Sequence, residues 1–332
     1  MRSDTRYDAP VAALLVKIVS AIQLTRLTMA FGAVADVWFI ILLTRASDAY
    51  KNVPVHDMNL VQALAAGAVV AVGLFAYGAS LNDVLDVRHD TAFSPQRPIP
   101  AGRIKLGQAV VVTIAALIVA VLGGAALGTW ALWITLLTAA GILFYNAAGK
   151  YIPAIGLVTI GLVHVTHMLI PNVQLHFTWP VWLVMTHAMA IATAVHVLEE
   201  KRPRLTLRGS LGALLGWTFW SGLVIGWGAM QKADGLWPEQ AEPWTVLWPV
   251  LTALAFLAVA WWKVSGVRGA AAAEKLKRYG AMWQALYGAA WLAALGLWRQ
   301  ALWISGFAIA GFVAMTFIKE ITGLSSRPVV YR

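Results

Sequence analysis

Ten stretches of about 20 consecutive, mostly apolar residues organise this chain, each long enough to cross a hydrocarbon core of about 30 Å as a helix. They fall at roughly residues 24–45, 58–81, 106–126, 129–148, 152–171, 179–198, 210–230, 243–262, 279–297 and 300–318. A chain surrounded by lipid must satisfy its backbone hydrogen bonds internally, which leaves helices or a closed barrel. The runs are continuous rather than alternating, so they read as helices. The expected fold is all-α, a polytopic membrane helical bundle. The last two runs are separated only by Trp298, Arg299 and Gln300. They form a tight hairpin or include a partial span, so the count is nine or ten.

Composition agrees. Of 332 residues, 60% are hydrophobic and 12% charged, against roughly a quarter charged in soluble chains. That balance argues against a soluble enzyme, a disordered chain or a nucleic-acid module. With no cysteine, disulfides, thiolate catalysis and Cys-ligated metals are excluded. Residues 1–10 are polar, and the run after them lacks a small-residue cleavage site, so it is expected to be a span. No soluble domain stands out, and residues 1–332 read as a single membrane domain.

The net charge of +10 follows the membrane. With the N-terminus in the cytoplasm and ten alternating spans, 21 of the 25 Lys and Arg residues fall inside. Arg45, Lys51, Lys232 and Arg299 are the exceptions. This asymmetry sets the expected orientation, in a plasma or inner membrane. Many of the 17 Trp, including Trp130, Trp179, Trp244, Trp298 and Trp303, sit near span ends as an expected interfacial belt.

Two inner loops mix acids with bases, at residues 82–105 and 196–208. The first opens with Asn82, Asp83, Asp86 and Asp90. If the helix continues, Asn82, Asp86 and Asp90 share one stripe at i, i+4 and i+8, with Asp83 beside it. Carboxylates are disfavoured at a helix C-terminus, so three of them call for a cation, and hard cations such as Mg²⁺ take oxygen ligands and substrate phosphates. Arg97 and Arg103 follow in a Pro- and Gly-rich turn, where guanidinium groups suit diphosphate oxygens. A plain basic inner loop is the alternative for either Arg.

Asn-Asp-x-x-Asp-x-x-x-Asp followed by Arg-Pro-Ile-Pro-x-Gly-Arg-Ile resembles the UbiA superfamily of intramembrane prenyltransferases. Arg26, and Phe144-Tyr145 with Lys150, resemble further parts of its pattern. The resemblance implies a helical bundle around a central cavity, capped on the cytoplasmic side. It implies Mg²⁺-dependent transfer of an isoprenyl group from a prenyl diphosphate to a hydrophobic acceptor, aromatic or lipid-like. Asn82, Asp83 and Asp86 would be catalytic. Metal ligands would come from these three with Asp90 and, in the second loop, Glu199 and Glu200. The family's second motif is usually two aspartates; this chain carries His196, Glu199, Glu200, Lys201 and Arg202 there. His196 and Glu200 are spaced for one helix face, and simple Glu–Lys pairing at a helix end is the alternative. Substrate contacts would come from Arg26, Arg97, Arg103, Lys150, Lys201, Arg202, Tyr145, His164 and His196.

Asp36, Asn146, His164, His167, His187 and Gln284 lie within spans, where polar groups face a bundle interior. His164 and His167 would touch the acceptor or diphosphate, or else bond between helices. The altered second motif keeps a terpene cyclase or another prenyl-diphosphate enzyme as an alternative. A CDP-alcohol phosphotransferase is disfavoured because Asn82 stands where its motif needs Gly. A transporter is the alternative of a different class, although acids clustered at helix ends suit a metal-diphosphate cap better. The expected partners are an isoprenyl diphosphate, a hydrophobic acceptor and the bilayer, with no nucleic acid and no obligate protein partner evident.

Overall fold

The computed structural model describes residues 24–26, 30–231, 237–238 and 241–323, with side chains to residue 317. Residues 1–10 lie outside this set. So do Lys17, Lys232, Arg327, Arg332 and the Lys319 side chain, which count in the charge asymmetry.

Among the described residues, eleven α-helices of seven residues or more carry the fold: α1 (Phe31–Ala46), α2 (Leu60–Leu85), α3 (Val87–Phe93), α4 (Leu106–Leu127), α5 (Thr129–Ala147), α6 (Pro153–Leu169), α7 (Trp179–Leu198), α8 (Leu207–Gln231), α9 (Leu247–Val264), α10 (Gly269–Ala294) and α11 (Trp298–Gly323). All except α3 match the ten apolar runs one for one. Among the described residues, seven helices are long and apolar enough to cross a membrane by themselves. The other three have identifiable reasons. α1 is 16 residues long, starting after the N-cap residue Ala30. α6 starts at Pro153, which takes the first helical position where its missing N–H is harmless. α10 opens with Glu274, Lys275, Lys277 and Arg278 before its apolar half.

The burial pattern is that of a protein in lipid. Val111, Leu122, Trp133, Leu215, Leu257 and Phe317 are each more than half exposed, a level of apolar surface that water does not tolerate in one belt. Trp130, Trp244, Trp298 and Trp303 are exposed as an interfacial belt requires. The interior is organised around α1, whose residues Val37, Phe39, Ile40 and Ile41 are fully buried. It packs against α2, α6, α10 and α11.

Small residues set the closest helix approaches. α2 and α4 form the most extensive pair. A Cβ on Gly73 would lie 2.6 Å from the Ala120 nitrogen, and one on Gly123 would lie 2.6 Å from the Val70 nitrogen. In lipid, where no hydrophobic force pushes helices together, such backbone approach is a main source of association.

The hairpin between the last two helices differs from the expectation. Trp298, Arg299 and Gln300 belong to α11, and the turn is Leu295–Leu297. The Gly296 N–H donates to Ala293 O at 3.0 Å and the Leu297 N–H to Leu292 O at 2.8 Å, with Gly296 at φ 73°. This is a Schellman ending, in which glycine supplies the left-handed residue. The apolar run passes through the turn because Leu295 and Leu297 are themselves apolar, which hides it from hydropathy.

At the end of the bundle away from the acidic loops, Arg45 donates to the carbonyls of Val55 and His56, at 3.0 and 2.8 Å, and to that of Met58. Tyr50 stacks on His176 and Asn172 bonds to Thr44 at 3.1 Å. These contacts close that end.

The tight α2–α4 crossing is expected to reject even one methyl group. Gly123→Ala should lower stability by about 1–3 kcal/mol, the usual cost of overpacking. Gly107→Ala, in the same helix with nothing within 4 Å of an added Cβ, should be neutral or slightly stabilising. Thermal unfolding of the two variants in one detergent checks the difference.

Candidate functional site

The helix carrying the first acidic motif breaks within it. α2 ends at Leu85, Asp86 has φ −90° and ψ 7°, and α3 resumes at Val87. The expected stripe of Asn82, Asp86 and Asp90 is divided between two sets, since Asp83 and Asp90, seven residues apart, also share a face. Asn82 and Asp86, one turn apart, converge on Lys150, whose Nζ donates to Asn82 Oδ1 at 3.3 Å and to Asp86 Oδ1 at 2.6 Å. Asp83 and Asp90, two turns apart, converge on Arg97. Its Nη1 donates to Asp83 Oδ1 at 3.3 Å and to Asp90 Oδ2 at 2.6 Å. Arg26 Nη2 adds a second bond to Asp83 Oδ1 at 2.9 Å. The side chains of Asp83 and Asp90 are only 6% and 4% exposed, so each depends on these cations.

The loop that delivers Arg97 is built for rigidity. Its backbone turns on Ala101 N to Arg97 O and Arg103 N to Pro98 O, at 2.9 and 3.0 Å, with Gly102 at φ 68°. Ile99 and Ile104 bury against Leu24 and Ala109 beneath the charges. Sequence reasoning saw the arginines here and not these anchors. Arg103 donates to the Gln96 carbonyl within the loop. Lys150 is aimed by a short 3-10 turn, Gly149–Tyr151. Gly156 packs so closely on that turn that a Cβ would lie 2.9 Å from the Gly149 carbonyl.

The second acidic loop does not form the expected ligand face. α7 stops at Leu198. The Glu200 N–H then donates to Val197 O at 3.1 Å and the Lys201 N–H to His196 O at 3.1 Å. This is again a Schellman ending, with Glu200 at φ 48° in the left-handed position. Glu200 and His196 consequently diverge. His196 Nε2 bonds to Pro203 O at 3.0 Å, Glu200 is exposed, and so is Arg202. Glu199 is the carboxylate that turns inward. It receives Lys277 Nζ at 2.6 Å and pairs with Lys201 at 3.3 Å. Burial opposes the charge on Glu199, but its bond to Lys277 and the charges of Lys277 and Lys201 outweigh it and hold the carboxyl below its ordinary value. Burial lowers Lys277, partly offset by Glu199.

The two loops share one site. Tyr145 lies within electrostatic range of both Asp86 and Glu199, and Lys277 within range of Arg26. Lys277 and Tyr151, which stands beside Asp86, are members that sequence reasoning missed. Lys277 sits in a basic inner run like any other, and only the packing of α10 on α7 selects it. His164 lies apart from this cluster, bonded to Gln284 at 3.2 Å.

Comparison with known proteins matches the chain to a family. A model of the UbiA prenyltransferase family matches residues 37–284. The digeranylgeranylglyceryl phosphate synthase of Saccharolobus solfataricus is 39% identical over 79 residues, 24% of this chain and 28% of that protein. Its counterpart from Sulfurisphaera tokodaii is 33% identical over 96 residues, 29% and 32% of the two chains. These matches span less than a third of either relative. A solved structure described for digeranylgeranylglyceryl phosphate synthase superposes with TM-score 0.55 at 18% identity, covering 84% of this chain and 98% of that one. A UbiA homologue from Aeropyrum pernix K1 superposes with TM-score 0.52 at 17% identity, covering 80% and 97%. Identities this low speak to the fold.

Two outcomes follow from the geometry. Arg97→Ala leaves Asp83 and Asp90 buried without their shared cation and should cost on the order of 3 kcal/mol; Arg97→Lys should recover part of it. Thermal unfolding reads both. Glu200→Gly, by contrast, should raise stability by about 1 kcal/mol, because it removes a Cβ from a left-handed position.

Proposed function

The chain belongs to the UbiA prenyltransferase family, and from that membership we propose that it transfers an isoprenyl group from a prenyl diphosphate to a hydrophobic acceptor, aromatic or lipid-like, inside the membrane. The observation that carries this reading is the interleaving of fixed cations with oxygen donors at one end of an apolar bundle. Arg97 sits between Asp83 and Asp90, Lys150 between Asn82 and Asp86, and Lys277 against Glu199. The basic excess of the inner loops supports a cytoplasmic position for this end. The names of the two archaeal relatives support a product of lipid character.

The donor set is chemically suited to a divalent cation. Asn82, Asp83, Asp86 and Asp90 offer oxygen only, which is what Mg²⁺ selects. Among the described residues no three His, Asp or Glu side chains converge as a closed cage. Mg²⁺ commonly binds one or two carboxylates and completes its shell with water and substrate phosphates, so a closed cage is not required. Asn82, Asp83, Asp86 and Asp90 would hold it, with Glu199 the carboxylate nearest from the second loop. When bound, it supplies positive charge to the diphosphate leaving group.

The chain's own groups do the rest. Arg26 and Arg97 grip phosphate oxygens with planar guanidinium groups, and Lys150 and Lys277 add point charges. Each of these cations is already placed and partly shielded from solvent, so little reorganisation is needed as the leaving group gains charge. The apolar helices below accept the hydrocarbon tail and keep water from the allylic carbon, so that the acceptor captures it.

Release of diphosphate from geranyl or farnesyl diphosphate by the purified protein tests this reading. Turnover should require Mg²⁺ and cease with a chelator. Asp83→Asn and Asp86→Asn should each lower it by orders of magnitude at equal expression. Near-wild-type rates in either variant would remove the proposed role of the acidic motif.

A further inference from the structure

The end of the bundle away from the acidic loops holds a cavity of about 270 Å³ where α1, α2 and α11 meet. Arg45 from the last turn of α1 lines it, with Arg299, Gln300 and Trp303 from the start of α11 and the apolar Leu42 and Leu60. Arginines at this end run against the charge bias, which gathers Lys and Arg at the other. Of the four Lys and Arg residues expected here, Lys51 pairs with Asp48 at 3.0 Å, and Lys232 lies outside the described residues. Arg45 and Arg299 are the other two, and both border this cavity. Among the described residues neither pairs with a carboxylate. Asp57, the other acid close by in the chain, bonds to His56 at 2.7 Å. Arg45 gives Nη1 to three backbone carbonyls, which fixes the side chain without neutralising it. Arg299 is exposed, and its guanidinium carbon lies 5.5 Å from the centre of the Trp303 ring. Two like charges bordering one cavity favour an anion inside it.

One wall of the cavity faces lipid. Trp303 lines it and is 49% exposed, as an interfacial tryptophan is. From Arg299 a stripe runs along α11 at helical spacing through Leu302, Gly306, Ile309 and Val313. Leu302, Ile309 and Val313 are each more than half exposed. Gly306 is exposed too, and a Cβ added there would meet nothing within 4 Å. The stripe is therefore notched between its flanking side chains, and a hydrocarbon chain can lie along it. A cation, an interfacial tryptophan and an apolar strip follow one another in the order in which a phospholipid presents its phosphate, glycerol and acyl chain.

We propose that this cavity binds the phosphate of an anionic glycerophospholipid from the leaflet opposite the acidic loops, with one acyl chain laid along the α11 stripe. Guanidinium groups match phosphate oxygens in geometry as well as charge, and the Gln300 amide adds a further donor. The cavity is slightly smaller than the sites of drug-sized ligands, about 300–1,000 Å³. It has room for a headgroup, while the acyl chains stay in the bilayer. Basic pockets between membrane helices recognise lipid headgroups by this chemistry. A zwitterionic lipid would bring its own cation to a cavity that already has two, so a net negative headgroup is preferred. The bound phosphate ties α11 to α1 and to the loop that Arg45 holds, so occupancy stabilises the bundle. This site lies at the opposite end from the acidic motif and is independent of the prenyl-transfer reading.

Thermal unfolding of the full-length protein in dodecyl maltoside tests the site, with dioleoylphosphatidylglycerol, dioleoylphosphatidylcholine or soluble glycerol phosphate titrated in. Phosphatidylglycerol should raise the Tm by several degrees, and the other two should not. Arg299→Gln, at an exposed position, should leave the Tm in detergent alone nearly unchanged. It should raise the half-saturating phosphatidylglycerol concentration by about tenfold, the scale of one lost charge-assisted hydrogen bond. Arg299→Lys should recover part of that loss. Lys51→Gln, which removes a charge at the same end outside the cavity, should respond like wild type. No rise with phosphatidylglycerol, an equal rise with phosphatidylcholine, or a wild-type response from Arg299→Gln would overturn the site. So would an equal loss in Lys51→Gln, which would trace the effect to surface charge at large. An equal rise with glycerol phosphate would overturn the lipid as its occupant.

Discussion

Everything at the functional end depends on keeping carboxylates charged where water is scarce. Asp83 and Asp90 are almost fully covered, and a covered carboxylate stays ionised only with a cation in direct contact. Arg97 serves both, Arg26 reinforces one, and Lys150 does the same for Asn82 and Asp86. This requirement explains why the loop around Arg97 is stiff and anchored by Ile99 and Ile104. A mobile arginine would leave two buried charges uncompensated. On the proposed reading, a diphosphate would meet cations already held in place, a metal would meet carboxylates already gathered, and binding would exchange partners within one set of charges.

The two acidic loops reach this state by opposite means. The first is a proline-stiffened turn with its own small apolar core. The second is a helix end whose left-handed residue is Glu200, where the hairpin before α11 uses Gly296. Glutamate at such a position carries a conformational cost that glycine avoids. Strain of this kind concentrates at functional sites. Its effect here is to turn the chain so that Glu199 faces inward to Lys277 while Glu200 faces out.

The bundle was legible in the sequence because lipid imposes one rule, an unbroken apolar run per crossing, and all ten runs became helices. The first acidic motif was legible for a related reason: Asp83, Asp86 and Asp90 have no cheap explanation beside a membrane. What stayed hidden depends on dihedrals and on long-range packing. Asp90 pairs through Arg97 with Asp83 while Asp86 pairs with Lys150, a grouping set by which cation each loop delivers and not by residue type. The reversal at Glu200 separates His196 from Glu200 although their spacing suits one face. Lys277 sits in a basic run that hydropathy and charge counting treat as uniform, and its selection comes from where α10 crosses α7. The hairpin at Leu295–Leu297 is apolar throughout, so composition could not locate it.

α10 ties the levels of the molecule together. It is one unbroken helix from Gly269 to Ala294. Lys277, Gln284, Gly288 and Trp291 recur at about whole numbers of turns, and so share a face. Lys277 meets Glu199 at the acidic end, Gln284 meets His164 in the middle, Gly288 meets Phe39 on α1, and Trp291 meets Phe177 toward the far end. A continuous helix moves as a unit, so any rotation or sliding of its backbone that altered the Lys277–Glu199 contact would also displace Gln284 against His164, gearing the charged end to the middle of the bundle.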